Sequence, residues 1–154
     1  MAIRYVKQRD EYSCGPIAIL NAMKWLGKPV TYKDLARLKD ICCCRSPNGT
    51  WPKVISVVLK ILKIKYLYKA KPSIKEIDKH LDDGGSILLV HYYNITRGHY
   101  VLCIGKTEKY YTLINDGMNN TITRCHKNTM KKMLHTKHKT LRQYGPCCWF
   151  IFKE

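Results

Sequence analysis

"QRDEYSCGPIAILNAMKWLG", residues 8–27, decides how this chain is read. From Gly15 to Leu26 apolar residues fall on nearly every side, with Asn21 and Lys24 the polar exceptions. A helix that is apolar all round belongs at the centre of a domain. Pro16 fits its first turn, where a missing N–H costs nothing, and Gly27 followed by Pro29 ends it. At the mouth of this helix stands Cys14, with Gly15 behind it and Gln8 six positions ahead. In a first turn, unpaired N–H groups and the positive end of the dipole favour a thiolate. Gly15 removes a side chain beside it, leaving room for a substrate backbone. Taken singly, Cys14 reads as readily as a small buried hydrophobe, the common fate of free cysteines. Gln8 reads as a solvated polar residue. The rest of the chain has to decide.

Its 154 residues suit one domain, 1–154, with one core, and a 45% hydrophobic content is that of a globular protein. The apolar runs Val54–Leu62 and Ile87–Val90 are too short or too broken to span a bilayer, and the N-terminus lacks a signal-peptide stretch. The expectation is a cytoplasmic protein with no membrane partner. Eight cysteines include the neighbours Cys42, Cys43 and Cys44 and the pair Cys147 and Cys148, which bridge one another only with strain, so reduced thiols are expected. The formal charge of +17, from 28 Lys and Arg against 11 Asp and Glu, attracts anionic partners. The lysines are scattered, not gathered in one run, so compositional drift is favoured over a nucleic-acid site. An acidic peptide or protein fits the same field.

Helical patterns dominate the first half. Thr31 caps "YKDLARLKD", Thr50 is read as the cap of "WPKVISVVLKIL", and Ser73 caps "IKEIDKHLDDGG". "CCCRSPNGTW" is a loop and "IKYLYKA" a strand. The second half carries the strands "SILLVHYY" (86–93), "GHYVLCIG" (98–105), "KYYTLIND" (109–116) and "CCWFIFKE" (147–154). Between the last two lies a basic segment, Arg124–Arg142, in which "KNTMKKMLHTK" reads as a short helix. Helices early and strands late make an α+β layout, with N-terminal helices packed on a C-terminal antiparallel sheet.

A nucleophilic cysteine needs a base. Of six histidines, His126, His135 and His138 fall in the basic segment, and His80 sits on a helix away from any site. His91 lies deep in its strand and reads as a core residue. His99 opens a buried strand at its exposed end, where a side chain is both rigid and accessible. The base in turn needs a partner that fixes its tautomer. A hairpin of 98–105 and 109–116 brings residues near 99 beside residues near 115, so Asp116 is the candidate and Asn115 its competitor. Asp116 also suits a plain turn, Asn-Asp-Gly. The oxyanion of amide attack needs donors, which the Cys14 N–H and the Gln8 side chain could supply.

Gln8 with Cys14-Gly15, "GHYVLCIG" and "INDG" together resemble the C39 and C39-like peptidases, papain-like enzymes whose best-known members process bacteriocin and quorum-peptide precursors. The likeness spans residues 3 to about 118. It implies a papain-like fold and peptide-bond or isopeptide-bond hydrolysis through a thioester. Cys14 would be the nucleophile, His99 the base and acid, Asp116 its orienter and Gln8 an oxyanion donor. It implies neither metal nor organic cofactor. The family usually has Pro after the Asp, where this chain has Gly117. A stand-alone, lysine-rich version would suit a virus or phage. Two other readings compete: a catalytically silent papain-like protein holding an anionic protein or nucleic acid on its basic surface, and a zinc protein using Cys42–Cys44 with Cys125, His126, Cys147 or Cys148.

Overall fold

The apolar stretch forms α1 (Cys14–Trp25), in which every residue from Cys14 to Met23 is buried. The chain leaves it through Gly27, whose φ of +77° is a conformation only glycine adopts without strain, and the Lys28 N–H closes on the Met23 carbonyl at 2.9 Å. These coordinates form a computed structural model describing residues 2–10, 12–42, 50–94, 97–116, 120–135 and 146–153. Residues 43–49, with Cys43 and Cys44, and 136–145, with His138, lie outside the described residues, as do Gly117 and the His91 side chain.

Helix α2 (Tyr32–Ile41) starts at Thr31, whose N–H donates to Asp34 Oδ2 at 2.6 Å. Helix α3 (Pro52–Ile61) starts one residue later than Thr50 would place it. Trp51 is its N-cap, and Thr50 is turned to a different use described below. After β1 (Tyr66–Ala70), Ser73 and Glu76 cap α4 (Ile74–Asp82) reciprocally, as their spacing dictates. There follow β2 (Ser86–Asn94), β3 (Arg97–Lys106), β4 (Tyr110–Ile114), β5 (Ile122–His126), α5 (Lys127–His135) and β6 (Cys147–Ile151). Strand β5 is not read from the sequence, where its Thr and Arg residues merge with the basic segment.

The six strands form one antiparallel sheet in the order β1-β6-β2-β3-β4-β5. Strand β6 enters between β1 and β2, pairing Ile151 with both Tyr66 and Ser86. Alternation along the strands splits the apolar side chains into two cores. Leu88, Val90, Tyr100, Leu102 and Trp149 pack with α1, α2 and α3, while Ile87, Leu89, Val101 and Phe150 pack with α4 and α5. Helices therefore cover both faces of the sheet, α1 to α3 on one and α4 and α5 on the other, and the α+β, papain-like layout expected from the sequence holds.

Candidate active site

Residues 2–10 have no regular structure, yet their backbone is gripped by two buried amides. Asn21 accepts from the Val6 N–H (2.7 Å) and donates to its carbonyl (3.1 Å). Asn115 accepts from the Gln8 N–H (3.1 Å) and donates to the Val6 carbonyl (2.7 Å). A side-chain amide offers one donor face and one acceptor face, so each Asn stands in for a neighbouring strand. Gln8 is thereby held 3% exposed, with Nε2 donating to the Asp10 carbonyl.

Asp10 continues the path to the helix. Its Oδ1 accepts from the N–H groups of Tyr12 (3.1 Å) and Ser13 (2.7 Å), at the mouth of α1. Ser13 is the N-cap by position but makes no capping bond of its own. Burial opposes the Asp10 charge, but the Ser13 hydroxyl, those N–H donors and the Lys39 ammonium, 3.9 Å away, prevail and hold its carboxyl below the usual range. The sequence held a signal for this: an Asp just ahead of an apolar helix is a cap.

Cys14 is the first residue of α1 and 8% exposed. Behind it, a Cβ on Gly15 would come 2.7 Å from Thr50 Oγ1. The missing side chain thus admits Thr50 rather than leaving room for substrate, which corrects the expectation for Gly15. The Thr50 carbonyl accepts from the Tyr100 hydroxyl at 2.8 Å. Through Gly15, Thr50 and Tyr100, the start of α1 is tied to β3, the strand that carries His99.

His99 is half-buried on β3, and its Nε2 lies against the Asn115 carbonyl. A carbonyl only accepts, so Nε2 carries the proton and Nδ1 of the neutral ring is the basic nitrogen. The hairpin forms as expected, pairing Leu102 with Ile114. Asn115 then turns with φ +60°, a left-handed conformation Asn tolerates better than most residues. Asp116, the next residue, is close enough for its carboxylate to add to burial in pushing the Cys125 thiol up to about 11.

Other thiols differ from Cys14 in setting. Burial pushes Cys103 and Cys147 up to about 12, and Cys148 higher still. The cysteines named for the zinc reading are divided: Cys42 and Cys147 belong to the core under α1, Cys125 and Cys148 belong to the opposite one, and Cys43 and Cys44 lie outside the described residues. Among the described residues no group of three His, Cys, Asp or Glu could hold a metal. His80 is buried between Phe150 and Phe152, with Nε2 near the carbonyls of Ser86 (3.0 Å) and Ile151 (2.9 Å), which makes it a structural tie. Among the described residues no helix is long and apolar enough to cross a membrane.

A cysteine at the mouth of a buried helix, packed on an antiparallel sheet with a histidine on an inner strand, is the architecture of the papain-like cysteine peptidases. The chain belongs to the Peptidase_C39 like family, whose model matches residues 1–145. It is similar in structure to the peptidase domain of Streptococcus ComA, a bifunctional ABC transporter involved in quorum sensing (TM-score 0.71, 18% identity, 97% of this chain and 98% of that one). It is also similar to a C39-like peptidase from Bacillus anthracis (TM-score 0.69, 12% identity, 97% and 94%). A third is the peptidase domain of Streptococcus mutans ComA (TM-score 0.59, 16% identity, 95% and 97%). No curated protein matches the chain.

Proposed function

We propose that this chain hydrolyses a peptide or isopeptide bond with Cys14 as nucleophile and His99 as base and acid. The observation that carries the reading is the His99 Nε2–H bond to the Asn115 carbonyl, which leaves Nδ1 as the proton acceptor. In that scheme Nδ1 takes the Sγ proton, and the thiolate adds to the substrate carbonyl carbon. The oxyanion is met by the Cys14 N–H and by the second Nε2 proton of Gln8, the first being committed to Asp10. The imidazolium then protonates the leaving amine, and a thioester remains. Water, deprotonated by His99, attacks the thioester; the carboxylic acid leaves and Sγ recovers its proton. Asn115 orients His99 through its carbonyl, and Asp116 is the second candidate for that task.

Polar crowding at the helix mouth supports the reading. Gln8 Oε1 and Thr50 Oγ1 are both buried without a hydrogen-bond partner among the described residues. Each such group costs about 1–3 kcal/mol, and a fold tolerates a pair of them at a functional site more readily than elsewhere. Adjacent cysteines such as Cys147 and Cys148, which bridge only with strain, favour reduced thiols, and this suits a cytoplasmic protein.

The test is the alkylation rate of each cysteine against pH, peptide by peptide, in wild type and His99→Ala. We expect Cys14 to react well below pH ~8, the range of an ordinary thiol, and to lose that reactivity without His99. Cleavage of peptide and isopeptide substrates should vanish in Cys14→Ala. A Cys14 that reacts no faster than Cys103 or Cys147 overturns the assignment.

A further inference from the structure

Acidic residues stop at Asp40 and resume at Glu76, and the stretch between them holds seven Lys and one Arg. The lysines are scattered along the chain, but the carboxylates that would balance them are not. The same stretch carries α3 and β1, and with them five of the nine large apolar side chains exposed among the described residues: Trp51, Val57, Ile61, Leu67 and Tyr68. Cations and exposed apolar groups thus share one unit of the fold. Helix α3 is divided lengthwise. Ile55, Val58 and Leu59 are buried in the core. At about 100° per residue, Val54, Val57 and Ile61 fall within about 60° of one another on the adjoining face. Val57 and Ile61 are 52% and 60% exposed. Lys53 and Lys60 follow on the flank beyond Val57. The helix ends with the Lys63 N–H on the Lys60 carbonyl (3.0 Å) and the Ile64 N–H on the Leu59 carbonyl (2.9 Å). That ending holds Lys63 at φ +57°, where glycine is the usual and unstrained residue. Beyond it, β1 is the outermost strand of the sheet. Lys65 lies over the Phe152 ring and Lys69 pairs with Glu76, whereas Lys53, Lys60 and Lys63 enter no ion pair among the described residues.

We propose that α3 and β1 dock the protein on an anionic lipid surface, with Val57 and Ile61 at the acyl boundary and Lys53, Lys60 and Lys63 against the headgroups. A helix of this kind lies in the plane of the interface, its apolar face sunk below the headgroups and its lysines reaching back to them on aliphatic stems. Trp51 at the N-cap of α3 and Leu67 on the edge strand widen the apolar contact. A nucleic acid would satisfy the lysines and leave Val57, Ile61 and Leu67 in water. Protein interfaces favour Arg and are poor in Lys, whereas every cation from residue 51 to 75 is Lys. No helix among the described residues is long and apolar enough to cross a membrane, and attachment to the surface needs none. Lysine at φ +57° then has a use, as a compact charge placed where the end of α3 meets the headgroups. Such docking asks nothing of Cys14 or His99.

The experiment is co-sedimentation of the full chain with vesicles of phosphatidylcholine, alone or with about 30% phosphatidylserine, at about 0.15 M salt. Binding to the anionic vesicles should be at least about tenfold tighter. Val57→Gln with Ile61→Gln should weaken it about tenfold, through the apolar area withdrawn from the lipid. Lys60→Gln with Lys63→Gly should weaken it about as much, while Tm holds because glycine relieves the left-handed backbone. Lys109→Gln with Lys131→Gln removes the same charge from exposed positions elsewhere and should leave binding within about twofold. Brominated lipid should quench a part of the tryptophan emission that Trp51→Phe removes. Equal binding to both kinds of vesicle, or indifference to the Val57 and Ile61 pair, overturns the proposal. An equal loss from the Lys109 and Lys131 pair overturns it as well, because charge spread over the whole surface would then suffice. A dT oligonucleotide held more tightly than the vesicles through Lys60 and Lys63 makes nucleic acid the partner instead.

Discussion

At the scale of single residues, Asn115 joins two halves of the candidate site that lie far apart in sequence. Its carbonyl meets His99, and its side chain fixes the backbone of Val6 and Gln8. These tasks separate in mutants. Asn115→Gly keeps the carbonyl and tolerates the φ of +60° but loses the clamp on Gln8. We expect kcat to fall about 10²-fold, the effect of a lost oxyanion donor, while the pH profile of Cys14 alkylation stays in place. Asp116→Asn should leave both within about fivefold if the carbonyl is the orienter, whereas an orienting carboxylate would cost orders of magnitude. Steady-state kinetics and alkylation on the same two variants decide between them. Cys14 is singled out by its place at the start of α1 and His99 by its place near the start of a buried strand, whereas Gln8, in an irregular segment, is singled out only by its spacing from Cys14. Asn115 was visible only as a competitor, since a backbone carbonyl has no residue type to betray it.

At the scale of the element, the start of α1 is secured by residues outside the helix. Asp10→Asn keeps an acceptor but removes the charge that the Ser13 and Tyr12 N–H groups and Lys39 stabilise. A carboxyl held below its ordinary value of 3.8 adds stability above the unfolded-state pKa and loses it as pH falls through the folded one. The gap in Tm between wild type and Asp10→Asn should therefore be full near neutral pH and close as the solution is acidified below that value. Calorimetry across that range checks it, and a gap that widens in acid would refute the assignment. Gly15 is the second device. Gly15→Ala forces a Cβ to within 2.7 Å of Thr50 Oγ1, and we expect a loss of about 1–3 kcal/mol from overpacking. Thr50→Gly should relieve much of it in the double mutant, which makes the pair non-additive. The sequence offered Thr50 as a helix cap because Thr before Trp-Pro fits that pattern. It serves the packing of α1 instead, and only the tertiary contact could show this.

At the scale of the whole molecule, the last strand closes the sheet that the early chain leaves open. A continuous apolar run rich in strand formers announces β6 plainly, yet its position between β1 and β2 is a non-local choice that no short window contains. The same limit leaves the face that each helix covers unread: α4 and α5 show which stripe they bury, not which side of the sheet receives it. Trp149 anchors the insertion. It is fully buried, donates from Nε1 to Ser56 Oγ at 2.8 Å, and packs with Tyr68 and Tyr100 at centroid distances of 5.5 and 6.2 Å. Trp149→Ala should cost about 3–5 kcal/mol in urea denaturation, and Trp149→Phe distinctly less, because the phenyl ring refills most of the space. The consequence reaches the candidate site, since Tyr100 binds the Thr50 carbonyl behind Gly15. Trp149→Phe should then preserve the fast alkylation of Cys14, whereas Tyr100→Phe, which retains the ring and drops only the hydroxyl, should slow it at nearly unchanged stability. If instead Cys14 reactivity follows stability alone across the three variants, the strand closes the sheet without helping to hold the helix mouth in place.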